Sequence, residues 1–396
     1  MPSLQRLKSL KRPKLRSLFF QTHRWLGLTA GILLCIAGLT GSILVFWHEI
    51  DRLVIAQRLG HLIPTGEALP IATIADTVKA TYATKGLTLS SINLSDHANQ
   101  PYSVWVHSPE EHYWWQVFVN PYTGQVMGDR EWESSWVGII YGLHYKLLAG
   151  EVGTLVMGIV ALLTLVLSIT GIVLWPGWRK LIAGFKIKWK QAHIKRTSFD
   201  LHKVAGIVTA IFLTFIGFTG FAWNVPQAKV TEAIHAVTLT PQPPDPISKP
   251  IPGRQPLTYA DLIQRADAVI SNATTTYVSF PEKPEDPFRV GKRQAQETDK
   301  WGNTRIYLDQ FTGEVIRFQD GLKPTRAEAI TNQFGSVHFG TFWGIPSRIL
   351  YVLVGLTPSV LFITGFIMWW HRKRKNTGDR TSVNPLPISL RGSGRK

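Results

Sequence analysis

Four histidines stand where this chain could bind a metal. His23 and His202 each open a long apolar run. Each has a glycine four residues on (Gly27, Gly206) and a Gly-x-Thr-Gly beginning fifteen residues on (Gly38 to Gly41, Gly217 to Gly220). His144 and His338 each sit in a short aromatic stretch. From each it is 26 residues to a Thr-Gly (Thr170-Gly171, Thr364-Gly365) and 31 to a tryptophan (Trp175, Trp369). Imidazole is the commonest metal ligand, and polar groups at a membrane span are rare and usually functional. A lone interfacial histidine serves equally well as a polar anchor among headgroups. Two matched pairs at matched depths point instead to ligation. Within one half the two histidines flank a core roughly 30 Å thick, so they cannot share a metal. Across the halves, His23 would face His202 at one depth and His144 would face His338 at the other. Two facing imidazoles with room between them describe the axial positions of a flat macrocycle, which predicts two bis-histidine b-type haems. Gly27, Gly31, Gly38, Gly206 and Gly217 would let a macrocycle approach the helices, although helix packing through small residues uses glycines in the same way.

The elements that must position these residues are apolar runs long enough to span a bilayer: residues 25–47, 152–175, 204–225 and 349–370. The formal charge of +17 is unevenly spread. Residues 1–24 hold seven Lys/Arg and no acid, and 176–203 and 371–396 each hold eight against one acid. Segments 48–150 (six basic, ten acidic) and 224–348 (fourteen and thirteen) are acidic or balanced. Basic loops stay inside, which places both termini in the cytoplasm and the two long segments outside. Anionic membrane lipid is then a sufficient partner for the excess charge. Nucleic acid is not expected, because no basic stretch is built into a folded reader with interleaved aromatics. The first span is too long and uninterrupted for a signal peptide. Cys35 is the single cysteine, so no disulfide framework exists.

Residues 1–22, with Leu4, Leu7, Leu10, Leu15, Leu18 and Phe19 among Lys and Arg, suit a helix on the inner leaflet. Each outer segment reads as an α+β module. In 48–135, residues 69–85 have helical spacing, and 87–94, 102–107, 113–120 and 125–127 read as strands. In 226–331 a proline-rich linker (241–256) leads to a helix over 257–271 and strands over 275–279, 287–290, 304–309 and 314–318. The turns Tyr122-Thr-Gly and Phe311-Thr-Gly correspond. Histidine-bearing stretches follow at 136–151 and 332–348. The order span, module, histidine stretch, span is thus written twice, as parallel repeats related by a pseudo-two-fold along the membrane normal. His48 and His371 break that correspondence, because their partners are Gln227 and Gly177. His61, His97, His107, His112, His193 and His235 show no ligand-like pairing. Trp25, Trp47, Trp175, Trp178, Trp369 and Trp370 fit an interfacial belt. No catalytic nucleophile with its base, phosphate loop or nucleotide fingerprint stands out.

His23-Arg-Trp-Leu-Gly, the Gly-x-Thr-Gly of the odd spans, Asp200-x-His202 and the Thr-Gly closing each even span resemble the PepSY-associated transmembrane family. The outer modules look like PepSY domains. The resemblance covers nearly the whole chain. It implies a multi-pass protein of the bacterial inner membrane and a likeness to di-haem reductases that release iron from periplasmic ferric siderophores. It also implies that His23, His202, His144 and His338 are the axial ligands. The expected function is therefore an oxidoreductase passing electrons from an unknown donor to a ferric siderophore or other ferric chelate. A non-redox PepSY regulator or assembly factor is the alternative. An iron-complex transporter ranks last, because four spans are few and no helix is clearly broken at mid-membrane.

Overall fold

The computed structural model describes residues 15–110, 113–188, 193–224 and 227–378. Leu4, Leu7 and Leu10 of the basic lead, His112, Val225 and most of the basic tail lie outside the described residues. In chain order the elements begin with α1 (Leu15–Leu44), α2 (Trp47–Leu59), α3 (Ile71–Ala83), β1 (Thr88–Asn93), β2 (Tyr102–His107), β3 (Trp114–Val119) and β4 (Val126–Glu131). Then come α4 (Trp136–Lys146), α5 (Gly150–Leu174), α6 (Leu181–Phe185), α7 (Ile194–Asn224), α8 (Gln227–Thr238) and α9 (Tyr259–Val269). The chain continues through β5 (Ala273–Ser279), β6 (Phe288–Gln294), β7 (Thr304–Leu308), β8 (Val315–Gln319), α10 (Arg326–Thr331), α11 (Gln333–Phe339) and α12 (Ile345–Gly378). The described residues fall into two compact units, one within 15–39, 162–217 and 354–378, the other within 40–161 and 218–353.

Among the described residues four helices are long and apolar enough to cross a membrane: Leu15–Leu44, Gly150–Trp178, Ile194–Asn224 and Ile345–Lys373. Ile32, Val152, Leu155, Val208, Ile211 and Leu353 stand exposed on them. Such faces suit contact with lipid. Helices satisfy their own backbone groups there, which irregular chain cannot do. The first helix begins ten residues before Trp25, in the basic lead, and stops at Leu44. Trp47 therefore belongs to α2 and not to the first span. Gly31 and Gly38 prove to be packing glycines. A Cβ on Gly31 would lie 1.9 Å from the Phe362 ring, and one on Gly38 would lie 2.2 Å from the Gly355 carbonyl oxygen. Both contacts bring α12 close to α1, as small residues do between membrane helices.

The other unit contains the sheet. All eight strands form one antiparallel sheet in the order β4-β3-β2-β1-β5-β6-β7-β8. The sequence reading had two separate modules. The structure joins them where Ser91, Ile92 and Asn93 of β1 pair with Ser279, Val278 and Tyr277 of β5. Helices α3 and α9 supply Ile74, Val78, Tyr82, Leu262 and Ala266 to a core shared with Val104, Val106, Val117, Val278, Val290, Ile306 and Leu308. Alternate strand residues point to the same face, so this period-two pattern gives the helices one continuous apolar surface. The two Thr-Gly turns are the same device. Asn120 Oδ1 accepts from the Tyr122 and Thr123 amides at 2.9 and 3.4 Å, and Asp309 Oδ1 accepts from Phe311 and Thr312 at 2.8 and 3.0 Å. Gly124 and Gly313 then take φ of 71° and 72°, a region open to glycine but strained for other residues.

Candidate functional site

The structure brings the four histidines together in two pairs. In the unit holding both residues, the His23 and His202 ring centroids lie 6.1 Å apart with planes at 82°. In the other unit the centroids of His144 and His338 lie 6.2 Å apart at 73°. A metal–nitrogen bond of about 2 Å plus a ring radius of about 1.1 Å puts two imidazoles in trans on one iron at centroids roughly 6 Å apart. Two rings in edge-to-face contact can have the same spacing, so the orientation of each ring matters more than the distance.

That orientation is fixed in the same way four times. Nδ1 of His23 lies 2.9 Å from Thr170 Oγ1, and Nδ1 of His202 lies 3.0 Å from Thr364 Oγ1. Nδ1 of His144 lies 3.1 Å from Thr40 Oγ1, and Nδ1 of His338 lies 2.8 Å from Thr219 Oγ1. These are the threonines of the four Thr-Gly motifs. The glycine after each makes room for the ring it holds. A Cβ on Gly41, Gly171, Gly220 or Gly365 would lie 3.0, 3.4, 3.4 or 3.5 Å from Cε1 of His144, His23, His338 or His202.

The His23–His202 pair also shows which tautomer is held. His202 Nδ1 is 3.1 Å from the Leu361 carbonyl oxygen, which can only accept, so Nδ1 carries the proton. The Thr364 hydroxyl donates to Val360 O at 2.6 Å and so accepts from the ring. Thr170 likewise donates to Val166 O at 2.8 Å, and His23 bonds the Leu167 backbone. Nε2, the second ring nitrogen, therefore presents the lone pair a metal would use. Such outer hydrogen bonds orient ligating imidazoles and raise their basicity.

The helices explain why the threonines could not be assigned from sequence. Thr170 is on α5 and holds His23 of α1, Thr364 is on α12 and holds His202 of α7, and Thr40 of α1 holds His144 of α4. Each partner lies more than 100 residues away. The Thr-Gly spacing was visible in the sequence, but its purpose was not. His144 and His338 are each followed by left-handed backbone. Leu147 and Leu148, just after α4, have φ of 49° and 55°, and Gly340 closes α11 at φ 70°. Left-handed backbone at two consecutive leucines is strain of the kind that gathers at functional sites. Trp223 packs 4.8 Å from His338.

The remaining histidines are placed elsewhere. His48 lies on α2, stacked on Trp47 at 3.7 Å and 6.2 Å from the Trp301 ring. Its pKa is pushed down to about 3 by burial and by Lys300, with Arg348 and Arg52 adding to the effect against Glu49. His371 spends Nδ1 on the Ile367 carbonyl of its own helix. His107 Nε2 lies 3.0 Å from Glu282 Oε1. Among the described residues no group of three or more His, Cys, Asp or Glu could hold a metal ion.

No curated protein matches the chain. The family model described as the PepSY-associated TM region matches residues 20–372, a stretch that takes in all four spans, the sheet and every histidine–threonine pair. By that match the chain is a membrane protein and belongs to the PepSY-associated TM region family.

Proposed function

We propose that this protein is a di-haem reductase of the bacterial inner membrane, holding one b-type haem between His23 and His202 and another between His144 and His338. It would pass electrons outward to a ferric siderophore or other ferric chelate. The observation that carries this reading is the repeated geometry: two imidazole pairs at 6.1 and 6.2 Å, each ring held at Nδ1 by a threonine. When bound, the haem irons would supply one-electron transfer. The chain's own contribution is positional. Thr170, Thr364, Thr40 and Thr219 turn each ring, and Leu167 and Leu361 hold the inner pair in the Nδ1-protonated tautomer. Reduction would loosen the substrate because hard oxygen donors hold Fe(III) better than the softer Fe(II).

The surrounding architecture supports the same reading. We take the two halves as parallel tandem repeats, with the joined sheet as two PepSY-like modules on the outer side. The basic segments then put both termini in the cytoplasm. The electron donor is unassigned, and a quinol or a soluble reductant would serve.

The test is the haem content of purified protein. Wild type should show a low-spin b-type spectrum at about two haems per chain. His202→Ala should remove one and leave the other spectrally intact, and His338→Ala should do the converse. Haem content at the wild-type level in either variant would overturn the pairing. Colourless, folded wild-type protein would favour the non-redox regulator.

A further inference from the structure

Beside the inner pair stands a cation with no anion paired to it among the described residues. Arg24 follows His23 on α1. Its Nη2 donates to Gln21 Oε1 at 2.7 Å, and its guanidinium lies 4.9 Å from the Trp25 ring centroid and 5.7 Å from that of Phe20. Its Nε is buried and has no hydrogen-bond partner. Among the described residues no ion pair includes Arg24. A guanidinium at a membrane span without an anion is costly, and such groups normally mark a partner.

The helix faces show where that partner would lie. Residues seven apart on an α-helix share nearly one face. Gly31, seven after Arg24, is pressed against Phe362 of α12, and Phe20, one turn before it, lies 5.9 Å from Arg372 of the same helix. Helix α12 also holds His202, through Leu361 O and Thr364 Oγ1. Arg24 is therefore on the side of α1 that faces the helix steering the opposite ligand. The residue at the same offset from His202 is Lys203, but its ammonium is already committed to Asp200 Oδ1 at 2.7 Å and the Ala183 carbonyl at 3.0 Å.

We propose that Arg24 anchors a carboxylate side arm of the macrocycle held between His23 and His202. This rests on the haem reading given above. Haem b carries two propionates, and a planar, charge-assisted guanidinium fork is well suited to one of them. A lipid phosphate would offer similar chemistry, but it would approach from the headgroup layer, whereas the unsatisfied Nε is buried.

The experiment uses the His338→Ala chain, so that only the inner pair is loaded. Apoprotein is reconstituted with haem b or with its dimethyl ester, in which both carboxylates are neutral. The readout is the rate of haem loss to a scavenger, with far-UV circular dichroism to check the fold. Adding Arg24→Gln should speed loss of haem b by about tenfold, as removal of one charge-assisted hydrogen bond does. Arg24→Lys should fall between the two. With the dimethyl ester, the chains with and without Arg24→Gln should lose cofactor at the same rate. Unchanged loss of haem b with Arg24→Gln overturns the proposal. So does a difference that persists with the ester, because Arg24 would then be acting on the fold or on lipid. If the His338→Ala chain takes up no haem, the haem reading falls and this inference falls with it. If haem binds and Arg24 proves indifferent, only this inference falls.

Discussion

Each imidazole of the two pairs is held between a hydroxyl and a missing side chain. The threonine fixes Nδ1, and the glycine beside it leaves room for the ring edge. The four clearances differ, and that difference is testable. A methyl on Gly41 would sit 3.0 Å from Cε1 of His144, whereas one on Gly365 would sit 3.5 Å from Cε1 of His202. The first is closer than carbon atoms normally approach, and the second is ordinary contact. Gly41→Ala should therefore displace His144 and, on the proposed haem reading, weaken cofactor retention at the His144–His338 pair by about tenfold, within the range seen when groups supporting a ligand are altered. Gly365→Ala should stay near wild type, and equal losses in the two variants would show that clearance is not what these glycines provide. The histidines were legible in the sequence because their spacing repeats. The role of Thr40, Thr170, Thr219 and Thr364 was not, because a hydrogen bond between helices leaves no periodic trace in either one.

Among the elements, α2 was missed by sequence reading, and it turns out to be the brace of the sheet-bearing unit. Asp51 on α2 is 3% exposed and accepts both Arg130 Nη atoms, at 2.7 and 2.6 Å, while Trp136 Nε1 donates to it at 3.0 Å. One carboxylate thus ties α2 to β4 and to α4, the helix carrying His144. Arg130 is also held by Gln116 of β3 at 3.0 Å. Removing one partner of a buried pair leaves the other charge stranded. Asp51→Asn should destabilise this unit by about 3–5 kcal/mol, read as a lower denaturant midpoint with the span helices retained. A shift of less than about 1 kcal/mol would mean water compensates Arg130. The strands themselves were legible, because runs such as Tyr102 to His107, Trp114 to Val119 and Thr304 to Leu308 are rich in β-branched and aromatic residues. Helix α2 was hidden because Leu53 and Val54 are exposed, so its apolar residues do not mark one buried face.

For the molecule as a whole, the four spans and their basic flanks were plain in the sequence, while the joining of the two strand sets was not. Nothing in the local pattern of β1 tells it to pair with β5, nearly 200 residues away. The membrane-proximal charges also set a pH response. The unfolded chain takes up a proton at His48 near pH 6.5, which the folded chain refuses until about pH 3. Stability from this group is therefore full above pH 6.5 and is lost as the pH falls. Glu49 is held down to about 2, from 4.5, chiefly by its hydrogen bonds from Arg348, so its share is lost only at lower pH. Thermal unfolding of wild type between pH 6.5 and 4.5 should thus show a slope that His48→Gln reduces, and identical slopes would exclude His48 as the cause. The β1–β5 joint has a consequence of its own. Three residue pairs stitch the halves into one fabric. A half-length chain would carry β1 with a bare, hydrogen-bond-hungry flank, and the readiest cover for it would be the same flank of a sister copy. The join that closes the sheet within one chain is thus also the place where a shorter version would have to find a twin.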